Sequence, residues 1–244
     1  MKTLALAAHT VLVSFALCVC AAFALDVPER LEYELNWSGL TAGKAVQQVS
    51  AEGSDLKIVN TIHSSGLASV VMSIDDETES LIPRKSQAML PRFYKERINE
   101  GKTHNLKEGR FDHGRLKVDS KDLLKKTEKS DPISAKTYDS LSSIYFIRSS
   151  KLEPGETIHF DMYDFKHLWN TEVKVVKREE VTTPLGKFKT VVVTSRLTSN
   201  GVAAKAGSST VWLTDDARRI PVKITTELKV GEITLTLVGG SYWH

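Results

Sequence analysis

The chain has 244 residues, of which 33 are Lys or Arg and 30 are Asp or Glu, for a formal net charge of +3. So balanced a charge favours neither nucleic acid nor any other strongly charged partner, and an aromatic content of 7% argues against recognition of bases or sugars by stacking. Both cysteines, Cys18 and Cys20, lie within the first 24 residues, which excludes disulfides, thiolate metal sites and cysteine catalysis from the rest of the chain.

The first 24 residues have the pattern of a secretory signal peptide. Lys2 precedes a long apolar stretch, and Ala22-Phe23-Ala24 matches the small-x-small pattern of a cleavage site. An uncleaved anchor is the alternative, because about 20 apolar residues can span a bilayer. We expect cleavage after Ala24, which leaves residues 25–244 as a single β-rich exported domain with no transmembrane span.

From Leu31 onward the predicted elements are almost all strands. Leu31, Tyr33, Leu35 and Trp37 alternate with polar residues, which is the period of a strand with one buried face. Similar runs, separated by Gly, Pro and Asn turns, continue to Val238. The other clear runs are 45–49, 56–62, 157–165, 169–177, 188–197 and 233–238.

A basic region covers residues 84–129, which hold 14 Lys or Arg against 7 Asp or Glu. One interpretation is a basic strand face that meets an acidic surface or anionic head groups. The other is the solvated outer face of long strands, with Lys protecting an exposed sheet edge. The sequence leaves both open.

One helix is predicted after the basic region. Leu141, Ile144, Tyr145 and Arg148 fall at helical spacing, and Asp139 suits the first turn. The helix could pack on a sheet as a lid, or fill a β cavity and move when a ligand enters. Strands flank it on both sides, so we predict a mainly β (α+β) fold: one large curved antiparallel sheet, or open half-barrel, with a single helix packed on its concave side.

The densest polar cluster follows the helix. His159 and Asp161 would share one face of a strand, which makes them conceivable metal ligands or acid/base partners. Asp164 and His167 fit the turn of a hairpin better. The chain has no Gly-x-Ser-x-Gly elbow, His-Glu-x-x-His pair or phosphate-binding glycine loop. We therefore predict no enzyme activity, no cofactor and no metal.

Residues 210–222 predict a hairpin near the end of the chain. Val211 and Leu213 alternate with Trp212, and Asp215 and Asp216 offer side-chain acceptors to a turn backbone. The simpler explanation of the acids and of Arg218 and Arg219 is turn chemistry together with an ion pair across the hairpin, which contributes little if it is exposed. Trp212 remains ambiguous between the wall of a cavity and the core.

Several segments together resemble the bacterial exported family of unknown function numbered 3108. They are YELNW at 33–37, LTAGKA at 40–45, DPIS at 131–134, LEPGE at 152–156, VKVVKREEV at 173–181, TPLGKFKT at 183–190 and, most specifically, VWLTDDARRIPV at 211–222. The resemblance covers essentially the whole chain after residue 24. The chain departs from the pattern by lengthening the segment before the helix.

The resemblance implies a location in the envelope of Gram-negative bacteria, and the predicted signal peptide places the protein in the periplasm. It transfers no activity and no functional residues, because the family has none established. The order of strands and helix is also similar to the half-barrel of periplasmic lipoprotein carriers, in which a curved sheet holds an apolar concavity. That similarity is an analogy of fold and does not establish function.

Three functions are compatible with the sequence. The first is a non-enzymatic periplasmic protein that binds or carries a hydrophobic or lipid-like ligand in maintenance of the cell envelope. The second is an interaction or assembly factor that uses sheet edges and the basic region. The third is an enzyme built around His159 and Asp161. The residues expected to line a cavity for the first function are Trp37, Leu141, Ile144, Tyr145 and Trp212.

Overall fold

A computed structural model describes residues 25–66, 69–70, 73–199, 201–204, 208–228 and 231–243, so the predicted signal peptide lies outside the described residues. Within them the chain forms sixteen strands and a ten-residue helix, Ser140–Ser149, between the ninth and tenth strands. The strands are β1 (Glu29–Trp37), β2 (Leu40–Glu52), β3 (Asp55–Ser64), β4 (Asp75–Pro83), β5 (Phe93–Glu100), β6 (Thr103–Asp112), β7 (Lys117–Asp122), β8 (Thr127–Pro132), β9 (Thr137–Tyr138), β10 (Thr157–Tyr163), β11 (Leu168–Thr183), β12 (Gly186–Ser199), β13 (Val202–Ala203), β14 (Ser209–Thr214), β15 (Pro221–Glu227) and β16 (Glu232–Gly240).

All the described strands belong to one sheet. Its order is β8-β7-β6-β5-β4-β3-β2-β1-β16-β15-β14-β12-β11-β10-β9, with short β13 beside β12. The pairs are antiparallel except β9 with β10, because most connections are hairpins between strands that follow each other in the chain. The predicted single antiparallel sheet is confirmed.

The two ends of this open sheet face each other across a seam. End strands β8 and β9 are consecutive in the chain, so residues 133–136 cross from one edge to the other. Across the seam, the Tyr163 hydroxyl of β10 donates a hydrogen bond to the Asp131 carboxylate of β8. Phe165 stacks on Tyr94 of β5 with ring centroids 5.3 Å apart. The sheet is therefore curved into a half-barrel that side chains, rather than a backbone ladder, hold together.

The helix packs inside the curve. Directly opposed residues of an antiparallel pair point to the same face, so the pairing of Val49 with Ile58 places both on one side of the sheet. Leu141 and Tyr145 of the helix join these two in one buried apolar cluster. The concave side is therefore the helix side, as predicted.

The basic region forms β5 to β8 and carries a ladder of alternating charge. Lys95 lies opposite Glu79 on one neighbouring strand and opposite Glu108 on the other. Lys121 in turn lies between Glu108 and Glu128. Opposite charges on adjacent strands stabilise a sheet locally. This pattern favours the interpretation of the basic region as a solvated outer face.

Candidate functional site

An apolar pocket of about 210 Å³ lies between the helix and the concave face of β10 to β15. Its walls are mostly aliphatic and aromatic, and none of the described lining residues has a titratable side chain. The lining residues are Ser140, Ser143, Ile144, Ile147, Phe160, Met162, Thr171, Val173, Val193, Ser195, Leu197, Ser209, Val211, Leu213 and Ile224.

Side-chain size in two adjacent rows of the sheet explains where the pocket lies. In one row, Val193 lies opposite Val211, which lies opposite Ile224. In the next row toward the ends of the strands, Ser195 lies opposite Ser209. The two serines fill less of the space beneath the helix than the branched side chains beside them. The pocket therefore opens where small residues interrupt an apolar face.

The N-terminal end of the helix is anchored by a buried carboxylate. Asp139 caps the helix and accepts hydrogen bonds from the backbone N–H groups of Leu141 and Ser142, both at 2.8 Å. The Ser80 hydroxyl of β4 donates a third, at 2.7 Å. Burial raises the pKa of the Asp139 carboxyl to about 6, although these hydrogen bonds oppose the rise. The cap joins the helix to the sheet as well as starting it.

The C-terminal end is anchored by a buried ion pair. The guanidinium of Arg148 donates to both carboxylate oxygens of Glu29, each at 2.7 Å. The Tyr145 hydroxyl also donates to Glu29, at 3.0 Å, and accepts from the Gln47 amide at 2.9 Å. Arg219, from the turn before β15, donates to the Arg148 carbonyl at 2.8 Å. The helix is thus held at both ends and forms a fixed wall of the pocket.

The three helical residues that were predicted to line a cavity occupy different environments. Ile144 lines the apolar pocket. Leu141 belongs to the buried apolar cluster beside the pocket, against which Ile144 also packs. Tyr145 is fully buried in the polar network around Glu29, and burial raises its pKa well above the ordinary value for tyrosine. Helical spacing correctly identified the buried side of the helix. Different residues on that side contact the core, the polar network and the pocket.

The two tryptophans that were predicted to line a cavity lie away from the pocket. Trp212 points to the convex face, where its indole N–H donates to Glu179 at 2.7 Å and Lys223 lies 4.9 Å from the ring centroid. Trp37 ends β1 beside Gly231. Of the five residues expected to line one cavity, Ile144 alone is among the described lining residues of the pocket. The structure does not bring the five together.

Sequence reasoning missed most of the pocket. Its floor comes from β10 to β12, whose strands were predicted but whose residues were not singled out. Alternation around Trp212 carried a usable signal, since Val211 and Leu213 must face opposite to it and both line the pocket. Alternation alone does not say which face of this strand lines a pocket. That depends on the helix, which packs on the face of Val211 and Leu213.

His159 and Asp161 lie together in a polar recess of about 650 Å³ on the convex side of the sheet. Asn170 donates to Asp161 at 2.6 Å, and Glu172 and Arg196 also line the recess. The prediction that His159 and Asp161 share one face of a strand is confirmed. Within the part of the chain that the structure describes, no group of three or more His, Cys, Asp or Glu side chains is arranged to hold a metal ion.

The turn predicted around Asp215 and Asp216 is present at 215–219, but its ion pair lies within the turn and not across the hairpin. The Asp216 carboxylate accepts hydrogen bonds from the backbone N–H groups of Arg218 and Arg219, at 3.0 and 3.1 Å. Arg218 also donates a side-chain hydrogen bond to Asp216 at 3.1 Å. Asp216 and Arg218 therefore order the turn, whereas Asp215 accepts a hydrogen bond from Arg178 of β11 and Arg219 donates to the end of the helix. Among the described residues, no helix has both the length and the apolar character needed to cross a membrane.

A solved structure that superposes well shows the same kind of fold. A β-barrel-like protein of the domain of unknown function DUF1849 from Brucella abortus superposes with a TM-score of 0.63 at 13% identity, over 88% of this chain and 97% of its own. A protein from Bacteroides fragilis, assigned as exported and with a YmcC-like fold, gives a TM-score of 0.39 at 12% identity, over 91% of this chain and 100% of its own. No curated protein matches the chain.

The family resemblance read from the sequence is confirmed by a match to a family model. The model is that of proteins of unknown function DUF3108, and it matches residues 32–238. The match extends from the fourth residue of β1 nearly to the end of β16, and so includes the helix and every strand that lines the pocket. The chain therefore belongs to the DUF3108 family of proteins of unknown function.

Proposed function

We propose that this protein is a non-catalytic binding module that holds an apolar or lipid-like small molecule between the helix and strands β10 to β15. The observation that carries the proposal is the pocket itself, with its mostly aliphatic and aromatic walls and no titratable group among its described lining residues. Ligand sites are typically concave and apolar, with few polar groups. A lining without an acid, base or charged group suits binding better than catalysis.

The volume of the pocket limits what it can hold. About 210 Å³ is more than the roughly 150 Å³ of a cavity that binds benzene, and less than the roughly 300 Å³ at which pockets for drug-sized ligands begin. The ligand would therefore bury one chain segment or ring there. Leu235 is half-buried and pairs with pocket residue Ile224 on the same face, so the apolar surface continues beyond the pocket. A longer molecule could lie along it.

Export to the periplasm, with a role in cell-envelope maintenance, is part of the same proposal. It is supported by the signal-peptide pattern of residues 1–24. N-terminal sequencing of the protein from a periplasmic fraction tests it. A mature chain that begins at Leu25 is expected, and recovery of a chain that still begins at Met1 would contradict cleavage.

A second candidate function is interaction with an envelope protein at a sheet edge. The observation that favours it is β8, an almost wholly exposed end strand that pairs only with β7 among the described strands. An extended segment of a partner could add to this edge. Glu128 and Lys129 on the same strand counter the idea, because charges commonly protect edges. Crosslinking in cells tests this candidate. A partner that is recovered with the wild type and lost on charge reversal at Arg92, Lys95 and Arg97 would favour contact through the basic region. Recovery unchanged by these reversals would exclude the basic region and leave the sheet edge.

Binding by delipidated protein tests the first candidate. The uncharged dye Nile red should gain fluorescence on addition of the protein, and a lipid extract from the envelope should displace it. Denatured protein at the same concentration is the control for non-specific binding. Absence of any fluorescence gain, together with no retention of extract lipids by the folded protein, would contradict the proposal.

A further inference from the structure

One hydroxyl in the apolar pocket differs from the others. Thr171 is 4% exposed, and its Oγ1 has no hydrogen-bond partner among the residues that the structure describes. Other hydroxyls in the lining are satisfied within the protein. Ser143 donates to the Ser140 carbonyl at 3.0 Å, and Ser209 Oγ lies 2.9 Å from the hydroxyl of Thr226. Ser195 Oγ accepts from the backbone N–H of Ser209 at 3.2 Å.

Strand alternation directs this hydroxyl toward the concave side. Thr171 lies opposite Phe160 on β10 and opposite Leu197 on β12, and both of these line the pocket. Its neighbours Asn170 and Glu172 lie on the other face and line the polar recess on the convex side, which Thr171 and Phe160 also border from within the sheet. Because successive residues of a strand point to opposite faces, Thr171 points into the pocket.

A buried hydroxyl without a partner is unfavourable. Most buried polar side-chain atoms are hydrogen-bonded, and an unsatisfied one retains its desolvation penalty. Within the described part of the chain, two other buried side-chain atoms lack a partner, on Asp55 and His113, and both lie outside the pocket lining. The hydroxyl of Thr171 is the one placed where a bound molecule could satisfy it.

The surroundings of Thr171 also limit the charge of such a molecule. An ionised carboxylate or phosphate in an apolar site requires a counter-charge. The described lining contains no Lys, Arg or His. An uncharged polar group, by contrast, needs a single donor or acceptor, and a threonine hydroxyl can be either.

We propose that the ligand carries one uncharged hydrogen-bonding group on its buried segment, a hydroxyl or an ester or amide carbonyl, and that Thr171 Oγ1 binds this group. The inference rests on the proposed function and narrows its ligand class. The buried part of the ligand is an apolar chain or ring with a neutral polar atom, and any ionised head group lies outside the pocket.

Titrations with three six-carbon probes test the inference: hexan-1-ol, hexane and hexanoate, followed by calorimetry or NMR at pH 8. Thr171→Val keeps the shape of the side chain and removes the hydroxyl, and Thr171→Ser keeps the hydroxyl. Thr198→Val is the matched control, because Thr198 is a β12 threonine in the convex recess. Retained melting temperatures show that the variants fold, and Thr171→Val should melt no lower than the wild type.

We expect Thr171→Val to weaken binding of hexan-1-ol roughly three- to tenfold, the effect of one hydrogen bond, and to leave hexane unchanged. Thr171→Ser and Thr198→Val should bind hexan-1-ol nearly as the wild type does. Equal effects of Thr171→Val on both probes would overturn the role of Thr171 and leave the proposed function standing. Hexanoate that binds the wild type as tightly as hexan-1-ol would overturn the neutral class. Failure of all three probes to bind would overturn both proposals.

Discussion

Glu29 and Arg148 form a two-pronged ion pair in the interior, with both nitrogen–oxygen distances at 2.7 Å and neither side chain more than 1% exposed. The pair joins the start of β1 to the last turn of the helix. Tyr145 and Tyr242 also donate to the Glu29 carboxylate, at 3.0 and 3.1 Å. A carboxylate with this many donors satisfies the conditions under which a buried ion pair can be tolerated.

Removal of one partner of this pair should strongly destabilise the protein. Arg148→Met leaves the Glu29 charge buried without its counter-charge, and we expect the free energy of unfolding to fall by about 3–5 kcal/mol. Urea denaturation measures it. The double variant Glu29→Leu with Arg148→Met should recover part of the loss, because no buried charge then remains.

The exposed pair Lys187 with Glu180, whose side chains are 70% and 54% exposed, provides the control. Lys187→Met should leave the urea midpoint almost unchanged, since exposed ion pairs contribute little. Additive losses in the double variant of Glu29 and Arg148 would contradict the explanation, because independent sites add and coupled sites do not.

Asp139 should make stability depend on pH in an unusual direction. Its folded pKa of about 6 lies above the value of about 3.9 expected for an unfolded chain. Between these two pH values the carboxyl is protonated in the folded state and ionised in the unfolded chain. The tighter proton binding therefore stabilises the folded state fully below pH ~4, and this stabilisation is lost as the pH rises through ~6. Asp139→Asn keeps a capping oxygen and cannot ionise.

The measurement for Asp139 is the free energy of unfolding of the wild type and of Asp139→Asn from pH 4 to pH 7. We expect the wild type to lose about 2 kcal/mol relative to the variant over this range. Comparison of the two proteins cancels the titration of the other carboxyl groups, which both contain. Parallel stability curves would show that Asp139 does not titrate in this range.

Gly43 is required by the close approach of β2 and β3. A Cβ at this position would lie 2.1 Å from the His63 carbonyl oxygen, so a backbone atom would have to move. Gly43→Ala should therefore destabilise the protein by about 1–3 kcal/mol, the usual range for overpacking. At Gly114 an added Cβ would contact only the Asp112 side chain, at 3.4 Å. Equal melting temperatures for Gly43→Ala and Gly114→Ala would contradict this account.

The sequence was sufficient for the parts of the fold that depend on local patterns. Alternation from Leu31 to Trp37 predicted a half-buried strand, and Asp139 with the apolar spacing after it predicted the helix and its start. These signals act over a few residues, so a single chain carries them in full. The family segments added the order of elements.

The pairing of distant elements could not be predicted in the same way. Glu29 and Arg148 are 119 positions apart, and nothing local to either residue indicates its partner. Trp212 was ambiguous because alternation assigns residues to two faces without saying which face is concave. Thr171 gave no signal at all, because a threonine in a strand is ordinary and its lack of a partner depends on the whole pocket.

The measurement closest to the central claim is titration of hexane into a pocket-filling variant. Val211→Phe enlarges a pocket residue, whereas Val176→Phe makes the same change at an exposed residue of β11 and serves as the control. If the pocket between the helix and β10 to β15 is the binding site, hexane should bind the wild type and Val176→Phe alike and bind Val211→Phe at least tenfold more weakly. Equal affinity of all three proteins, with Val211→Phe folded, would contradict the claim.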